Sequence, residues 1–281
     1  MGVRITSWNL LHGMAIPPQK SSDPGALTRA VQSLDSDLFG FQEVDHFLPR
    51  SQSRAQMRDI AESIGARDWA MGPSVIGTPG ESWRKKHEHE PEIISNTSPH
   101  SELMHECYGI GIVSKIPVLS WHRLNIGNSP LGLPLIIPGD PSSSNKDRPT
   151  RPKFIYVKDE PRLALAAVLE NGFTVVNTHL SFVPGFNLAQ LHRVKKWALS
   201  IAESTGTRAI VMGDLNLPKN LPIVASRWKS LVTQNTYPSW GGKIQFDYIL
   251  SPDLAFGEFS VRDLPLTGVS DHLPIGVEIL N

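Results

Sequence analysis

The sequence has very little of several features that would narrow its class. It has a single cysteine, Cys107, in 281 residues, which excludes an intramolecular disulfide framework and a cysteine-based zinc site. No run of about 18 apolar residues is present, so no transmembrane helix is predicted. The first residues also lack the basic start and apolar run of a signal peptide. We therefore expect a cytoplasmic protein.

Net charge is absent as well, because 27 Lys and Arg residues balance 27 Asp and Glu residues. Proteins that coat nucleic acid by electrostatics need many clustered basic residues, so any contact with a polyanion must be local. One local basic cluster does occur, formed by Lys146, Arg148, Arg151 and Lys153. Because of this cluster, nucleic acid stays among the candidate substrates.

Hydrophobic patterning predicts more strands than helices. Short β-branched or apolar runs predict strands at 3–9, 38–42, 109–114, 163–170, 174–179, 209–213, 246–250 and 276–280. Helical spacing of apolar residues predicts helices at 24–34, 55–64 and 188–204. Two polar segments, 83–106 and 125–153, are expected to be long surface loops. Without a linker or an internal repeat, we expect one domain over residues 1–281.

Polar residues that can bind a metal or move a proton recur at the ends of the predicted strands. They are Asn9, Glu43, His179, Asp214, Asn216, Asp247, Asp271 and His272. Strand ends meet at one edge of a packed sheet, so residues distant in the sequence can share a pocket. Carboxylates, carboxamides and histidines together suit a hard divalent cation and phosphate chemistry.

The order of seven short motifs resembles that of a known superfamily. The motifs begin at Ser7 (SWNL), Gln42 (QEV), Gly109 (GIGIVSKIP), Asn177 (NTHL), Gly213 (GDLN), Phe246 (FDYIL) and Ser270 (SDHLP). Together they resemble the endonuclease/exonuclease/phosphatase superfamily, which includes deoxyribonucleases, abasic-site endonucleases, neutral sphingomyelinases and inositol polyphosphate 5-phosphatases. The resemblance implies an α/β, four-layered sandwich, in which two mostly antiparallel sheets pack face to face between flanking helices.

The resemblance also implies roles for individual residues. Glu43 resembles the principal Mg²⁺ ligand, with Asn9 and Asp271 beside it. The residues expected to be catalytic are His179, Asp214, Asn216, Asp247 and His272. Asp214 and Asn216 resemble the pair that orients or deprotonates the attacking water, and Asp247 would orient His272. Which group is the general base stays open. Arg162 and Tyr108 are expected to contact the substrate phosphate, since a guanidinium suits a phosphate oxygen.

Two departures distinguish the chain from abasic-site endonucleases. Leu11 occupies a position where that branch has a metal-associated aspartate, and that branch lacks a histidine in the motif that here contains His179. The 5-phosphatase branch is matched only by a weak Tyr237-Pro238-Ser239-Trp240 element, because six residues separate it from Asp247. The sequence therefore favours a branch other than abasic-site repair.

We expect a Mg²⁺- or Mn²⁺-dependent hydrolase of phosphate esters, either a phosphodiesterase or a nuclease, that uses metal-assisted attack by water. The substrate would be a nucleic acid, a nucleotide or a lipid headgroup. One alternative is a sphingomyelinase-like hydrolase of phospholipids or inositol phosphates. An alternative of another class is a catalytically inactive binding module on the same fold. We expect a monomer and predict no partner protein.

Overall fold

Sixteen strands and three α-helices make up the part of the chain that the computed structural model describes, residues 2–16, 23, 25–99, 104–137 and 153–280. The helices are α1 (Ala26–Ser33), α2 (Gln56–Ile64) and α3 (Phe186–Thr205). The strands are β1 (Val3–Asn9), β2 (Leu38–His46), β3 (Asp68–Gly77), β4 (Trp83–Lys85), β5 (Ile94–Ser95), β6 (Cys107–Ser114), β7 (Val118–Gly127), β8 (Leu133–Ile137), β9 (Lys153–Val157), β10 (Arg162–Leu169), β11 (Phe173–His179), β12 (Arg208–Asp214), β13 (Lys229–Ser230), β14 (Asp247–Ser251), β15 (Phe259–Arg262) and β16 (Ile275–Ile279).

The strands form two large sheets and one separate pair. The first sheet has the order β15-β16-β1-β2-β6-β3-β4, with β5 also pairing with β3. The second has the order β13-β14-β12-β11-β10-β7, and β8 pairs with β9. The neighbouring strands β1 and β2 are parallel, as are β11 and β12, whereas the other pairings are antiparallel. The prediction of two mostly antiparallel sheets is confirmed.

Three large hydrophobic clusters define four layers. Between the sheets, Ile5, Leu38 and Ile112 of the first sheet pack with Leu165 and Ile210 of the second. A second cluster buries one face of α3 against the outer side of the second sheet. A third packs α1 and α2 against the outer side of the first sheet. Burial of apolar faces on both sides of each sheet explains the long apolar runs of the central strands. The four-layered α/β sandwich is therefore confirmed.

The predicted loops differ in part from the structure. The segment 83–106 contains β4 and β5, and the segment 125–153 contains the end of β7, all of β8 and the first residue of β9. Composition concealed these strands because polar residues and prolines interrupt their alternation. Lys146, Arg148 and Arg151 of the predicted basic cluster lie outside the described residues, and so does the side chain of Lys153.

None of the described helices is both long and apolar enough to cross a membrane.

Candidate active site

The predicted site residues come together where central strands of both sheets end. Asn9 is the last residue of β1, and His179 and Asp214 are the last residues of β11 and β12. Asp247 begins β14 and pairs with Asp214 across the antiparallel strands. Because β1 packs over β12 and β14, the strand ends of the two sheets lie close together. The structure thus brings these four residues together at one edge.

A β-bulge in β2 places Glu43 at this edge. Phe41 pairs with Gly111 and Val44 pairs with Gly109, so two residues of β2 lie opposite a single residue of β6. Glu43 is one of the two, with a φ of 55° that is uncommon for a residue other than glycine. Bulges redirect side chains near functional sites. The bulge explains why β2 continues to His46 although the sequence predicted its end at residue 42.

The carboxamide of Asn9 connects two acidic residues. Its Nδ2 donates hydrogen bonds to Oε1 of Glu43 at 3.0 Å and to Oδ2 of Asp214 at 3.1 Å. Its Oδ1 accepts the backbone N–H of Leu11 at 3.0 Å, which fixes the orientation of the amide. An amide oxygen has two lone pairs, so Oδ1 can still accept a second partner. Asn9 therefore holds Glu43 and Asp214 on either side of itself.

Two histidines face the same oxygen of Asp214. Nε2 of His179 lies 3.6 Å from Oδ2 of Asp214, and Nε2 of His272 lies 3.7 Å from that atom. Both distances exceed that of a normal hydrogen bond, so neither Nε2 atom is committed to Asp214. Nδ1 of His272 lies 2.8 Å from Oδ2 of the buried Asp247. Asp247 thus fixes the orientation of the His272 ring.

The two imidazoles have opposite protonation preferences. Burial lowers the pKa of His272, but the carboxylates of Asp247 and Asp214 outweigh this effect and raise the pKa to about 10. His179 has a pKa well below the ordinary value because of burial and the positive charges of Arg162 and His272. At neutral pH, His272 is therefore a cation and His179 is neutral.

Two acidic residues of the site have raised pKa values. Burial and repulsion by Asp271 raise the pKa of Glu43 to about 7, although the hydrogen bond from Asn9 opposes this shift. Burial, with a contribution from Asp247, raises the pKa of Asp214 to about 6. A divalent cation between Glu43 and Asp271 would relieve their repulsion, because oxygen ligands of this kind suit Mg²⁺. The donor set therefore fits a hard cation.

A second set of potential ligand atoms lies nearby. Within the described residues, one atom each from Asp214, Asp247 and His272 lie within 4.8 Å of one another, and this is the only group of three or more such side chains that meets that distance. In this group, Nδ1 of His272 is already bound to Asp247. These contacts join the three side chains into one charge-linked group.

Asn216 lies beside Asp214 in a conformation that few residues adopt. It has a φ of 48°, and its backbone N–H donates to Oδ1 of Asp214 at 2.9 Å. Its side-chain Nδ2 donates to the carbonyl of Leu180 at 3.0 Å. Asparagine is among the residues that tolerate this left-handed region. The residue thus orients the Asp214 carboxylate, and its own backbone carbonyl accepts a hydrogen bond from Nδ2 of Asn187 at 3.0 Å.

Arg162 and Tyr108 lie on the Glu43 side of the site, and both are buried. Nη2 of Arg162 lies 3.4 Å from Asp159, and Nη1 lies 3.3 Å from Glu160. The Tyr108 side chain hydrogen-bonds to Glu160, and burial raises the pKa of Tyr108 well above its usual value. Contact of either residue with a substrate phosphate stays a prediction.

Sequence analysis gave no role to Asn177, which links the sheets directly behind Glu43. Its Nδ2 donates to the carbonyls of Phe41 and Gly111, each at 2.8 Å, and its Oδ1 accepts from Gln42 at 2.6 Å. The sequence did contain a signal for this role, because Asn177 is a polar amide within an apolar strand that is buried on both faces. Buried amides are hydrogen-bonded, so such a residue indicates a structural contact.

Further histidines and arginines lie outside the set of predicted site residues. His87 and His89 stack with ring centroids 5.5 Å apart, and His100 lies outside the described residues. Three arginines recur at fourfold spacing, of which Arg50 pairs with the buried Asp45, whereas Arg54 and Arg58 both pair with Asp59. The guanidinium of Arg50 also lies 5.5 Å from the centroid of the Tyr108 ring, on the Glu43 side of the site.

The sequence matches the model of the Endonuclease/Exonuclease/phosphatase family over residues 6–272. The chain belongs to this family. Members of the family are usually phosphoester hydrolases and generally depend on a divalent metal. No curated protein matched the sequence significantly.

Several solved structures share the fold of this chain, although their sequence identity to it is low. The human Nocturnin catalytic domain with bound sulfate is 16% identical, with a TM-score of 0.58 over 99% of this chain and 93% of that one. Truncated Caenorhabditis elegans TDP2 is 17% identical, with a TM-score of 0.56 over 100% and 98% of the two chains. The mannosyl-6-phosphatase Bt3783 of Bacteroides thetaiotaomicron is 13% identical, with a TM-score of 0.55 over 99% and 100%. Identities this low support the shared fold alone.

Proposed function

We propose that the protein is a Mg²⁺- or Mn²⁺-dependent hydrolase of phosphate esters, acting as a phosphodiesterase or nuclease by attack of water on phosphorus. The observation that carries this proposal is the arrangement around Oδ2 of Asp214, where Asn9, His179 and His272 converge. One carboxylate oxygen thus faces a neutral imidazole and a cationic one. This combination can activate water and stabilise the negative charge of a phosphate.

Glu43 and Asp271, with the remaining lone pair of Asn9, would hold the cation. When bound, Mg²⁺ or Mn²⁺ neutralises charge on the nonbridging phosphate oxygens and lowers the pKa of a bound water. A partly buried pair of repelling carboxylates is otherwise unfavourable. The raised pKa of Glu43, about 7, therefore supports a site that is completed by a positive ion.

The remaining residues divide the proton chemistry between them. His272, held by Asp247 in its cationic form, can donate its Nε2 proton to a nonbridging phosphate oxygen. Asp214 is suited to accept the proton of the attacking water, because its pKa of about 6 lies near the operating pH. Neutral His179 can bind a substrate oxygen or the same water. Asn216 keeps the Asp214 carboxylate in place and can direct its own side-chain oxygen to the water.

Arg162 would add a second positive charge on the other side of the phosphate. Its ion-pair distances of 3.3 and 3.4 Å are long, so its donors are only weakly engaged. Guanidinium groups bind phosphate through paired hydrogen bonds. We assign Tyr108 to positioning, because its side chain already bonds to Glu160.

The experiment is hydrolysis of bis-p-nitrophenyl phosphate with Mg²⁺ or Mn²⁺. EDTA should abolish the activity, and His272→Ala should reduce it about 10²- to 10⁴-fold, the range for loss of a general acid or base. His192→Ala is the matched control, because His192 is an exposed histidine on α3. Hydrolysis that survives both EDTA and His272→Ala would contradict the proposed mechanism.

Substrate identity needs a panel under one metal condition. Single-stranded DNA, duplex DNA, RNA, sphingomyelin and inositol phosphates represent the diester and lipid classes. A sugar phosphate should be included, since one structural neighbour is a mannosyl-6-phosphatase. A protein that binds members of this panel but hydrolyses none of them would instead be a binding module on this fold.

A further inference from the structure

A second cleft opens next to the proposed reaction centre. It has a volume of about 330 Å³ and lies between the chain that follows β4, the end of β7 and the start of β10. Lys86, Glu92, Arg123 and Arg162 are among the residues that line it. Arg162 also belongs to the proposed active site, where the carboxylate of Glu43 contributes to its electrostatic environment. The cleft and the active site therefore share one wall.

Two buried cations of this cleft converge on one exposed carboxylate. Nζ of Lys86 lies 2.8 Å from Oε1 of Glu92, and Arg123 forms an ion pair with the other oxygen of Glu92. The Lys86 and Arg123 side chains are only 9% and 7% exposed, whereas Glu92 is 55% exposed. Nζ of Lys86 also donates to the carbonyls of His87 and Glu90, at 3.0 and 2.9 Å. Glu92 is thus the acidic side chain that pairs with both cations.

Arg123 has unused capacity for an anion. Its Nη2 donates to the carbonyl of Pro73 at 2.8 Å, but its buried Nε has no hydrogen-bond acceptor among the described residues. A buried donor without a partner costs free energy. Burial and the nearby Arg123 also lower the pKa of Lys86, which is the sign of two positive charges held close together. A dianion would compensate these charges more fully than one carboxylate.

We propose that Lys86 and Arg123 form an accessory phosphate site, which binds a second phosphate group of the substrate while the scissile phosphate lies between Asp214 and His272. The phosphate would replace the Glu92 carboxylate, whose exposed side chain can turn into solvent. This inference rests on the proposed function, because the accessory site is defined relative to the phosphate that the proposed reaction cleaves. The substrate class is a phosphodiester that carries a further phosphate.

Two pairs of ligands test this proposal and distinguish the source of the phosphate. One is thymidylyl-thymidine with and without a 5′-phosphate, and the other is glycerophosphoinositol with and without a 4-phosphate. Binding is measured by calorimetry with Mg²⁺ in the His272→Ala protein, so that the ligand survives the titration. In at least one pair the extra phosphate should tighten binding about tenfold, as expected for charge-assisted hydrogen bonds to buried donors. The pair that responds identifies a nucleotide or a lipid headgroup.

Variants of the cleft make the test specific. Glu92→Gln removes the competing carboxylate from an exposed position and should strengthen binding of the extra phosphate severalfold. Glu81→Gln makes the same change of charge at an exposed residue outside the cleft and should have no such effect. Lys86→Met should remove most of the gain, with folding checked by circular dichroism.

Two results would overturn the accessory site. One is equal affinity for both members of each ligand pair, and the other is an identical response of the two glutamine variants. These results are distinguishable from failure of the proposed function. That failure would appear as absence of hydrolysis by the native protein, whereas the phosphate-dependent gain in binding would persist.

Discussion

Replacement of Asn177 by leucine should damage both stability and metal binding, because this amide supports the bulge that carries Glu43. The bulge interrupts pairing between β2 and β6 directly after Phe41 and Gly111. Nδ2 of Asn177 donates a hydrogen bond to each of these carbonyls, at 2.8 Å. The amide thus adds hydrogen bonds at the point where the strand pairing becomes irregular.

The cost can be estimated from the groups left behind. Leucine has nearly the same shape but no polar atoms, so Asn177→Leu removes the side-chain hydrogen bond from each of two buried carbonyls, at a cost of about 1–3 kcal/mol each. Gln42 retains weaker contacts with Ser7 and Gly40, both at 3.3 Å, and adds little. The free energy of unfolding should therefore fall by about 2–6 kcal/mol. Relaxation of the bulge should also weaken Mg²⁺ or Mn²⁺ binding at Glu43.

Urea unfolding gives the stability, and calorimetric titration of the folded protein gives the metal affinity. Val176→Ala is the control, since this neighbouring buried residue packs toward α3 on the opposite face of β11. That variant should lose about 2 kcal/mol of stability through its cavity with unchanged metal affinity. If Asn177→Leu loses less than about 1 kcal/mol, or if its metal affinity equals that of Val176→Ala, the reasoning about the bulge is refuted.

Three further predictions concern separate features. Gly213→Ala should lower the free energy of unfolding by at least about 3 kcal/mol. The reason is that Gly213 has a φ of 141° and that a Cβ there would lie 1.8 Å from the carbonyl oxygen of Thr178. Urea unfolding measures the loss, and a smaller loss would contradict the prediction. Burial lowers the pKa of Lys195 from 10.5 to about 8 in the native state. As the pH rises, the native protein therefore loses the Lys195 proton at a lower pH than the unfolded chain does. The stability of the wild type relative to Lys195→Met should therefore rise between pH 8 and 10.5 by up to about 2 kcal/mol, and a flat difference would exclude the shift. Glu43→Gln should weaken Mg²⁺ or Mn²⁺ binding about tenfold or more in calorimetry, whereas the exposed-surface change Glu62→Gln should leave it unaltered.

Sequence patterns predicted the central strands well because these strands are buried on both faces. β1 has the predicted bounds, and the predicted limits of the strands that end at His179 and Asp214 differ from the structure by only one residue at one or both ends. Apolar runs with abrupt polar ends need no tertiary information to be recognised. Since the site residues follow those runs, their meeting at one edge was also predictable.

Strands that depend on tertiary contacts were not predictable in the same way. β3 contains Gly72 and Pro73, which disfavour a strand in isolation, yet its pairing with β6 tolerates them next to an irregularity between Pro73 and Val75. β7 includes His122 and Arg123 and is only partly buried. Its alternation is weak because it forms one edge of the second sheet. Local composition therefore gave no signal for either strand.

The site itself shows why residue types could be predicted but geometry could not. Glu43, Asn216 and Ser270 have φ values of 55°, 48° and 66°, and each costs about 1–3 kcal/mol relative to ordinary backbone. Hydrogen bonds of the site offset this cost: Ser270 donates to the carbonyl of Asn9 at 2.6 Å and accepts the N–H of His272 at 3.1 Å. These contacts join β1 to residues more than 260 positions away, so no local pattern encodes them. The strained backbone is stable only after both sheets have packed, and it then fixes the acidic and imidazole groups around Asp214.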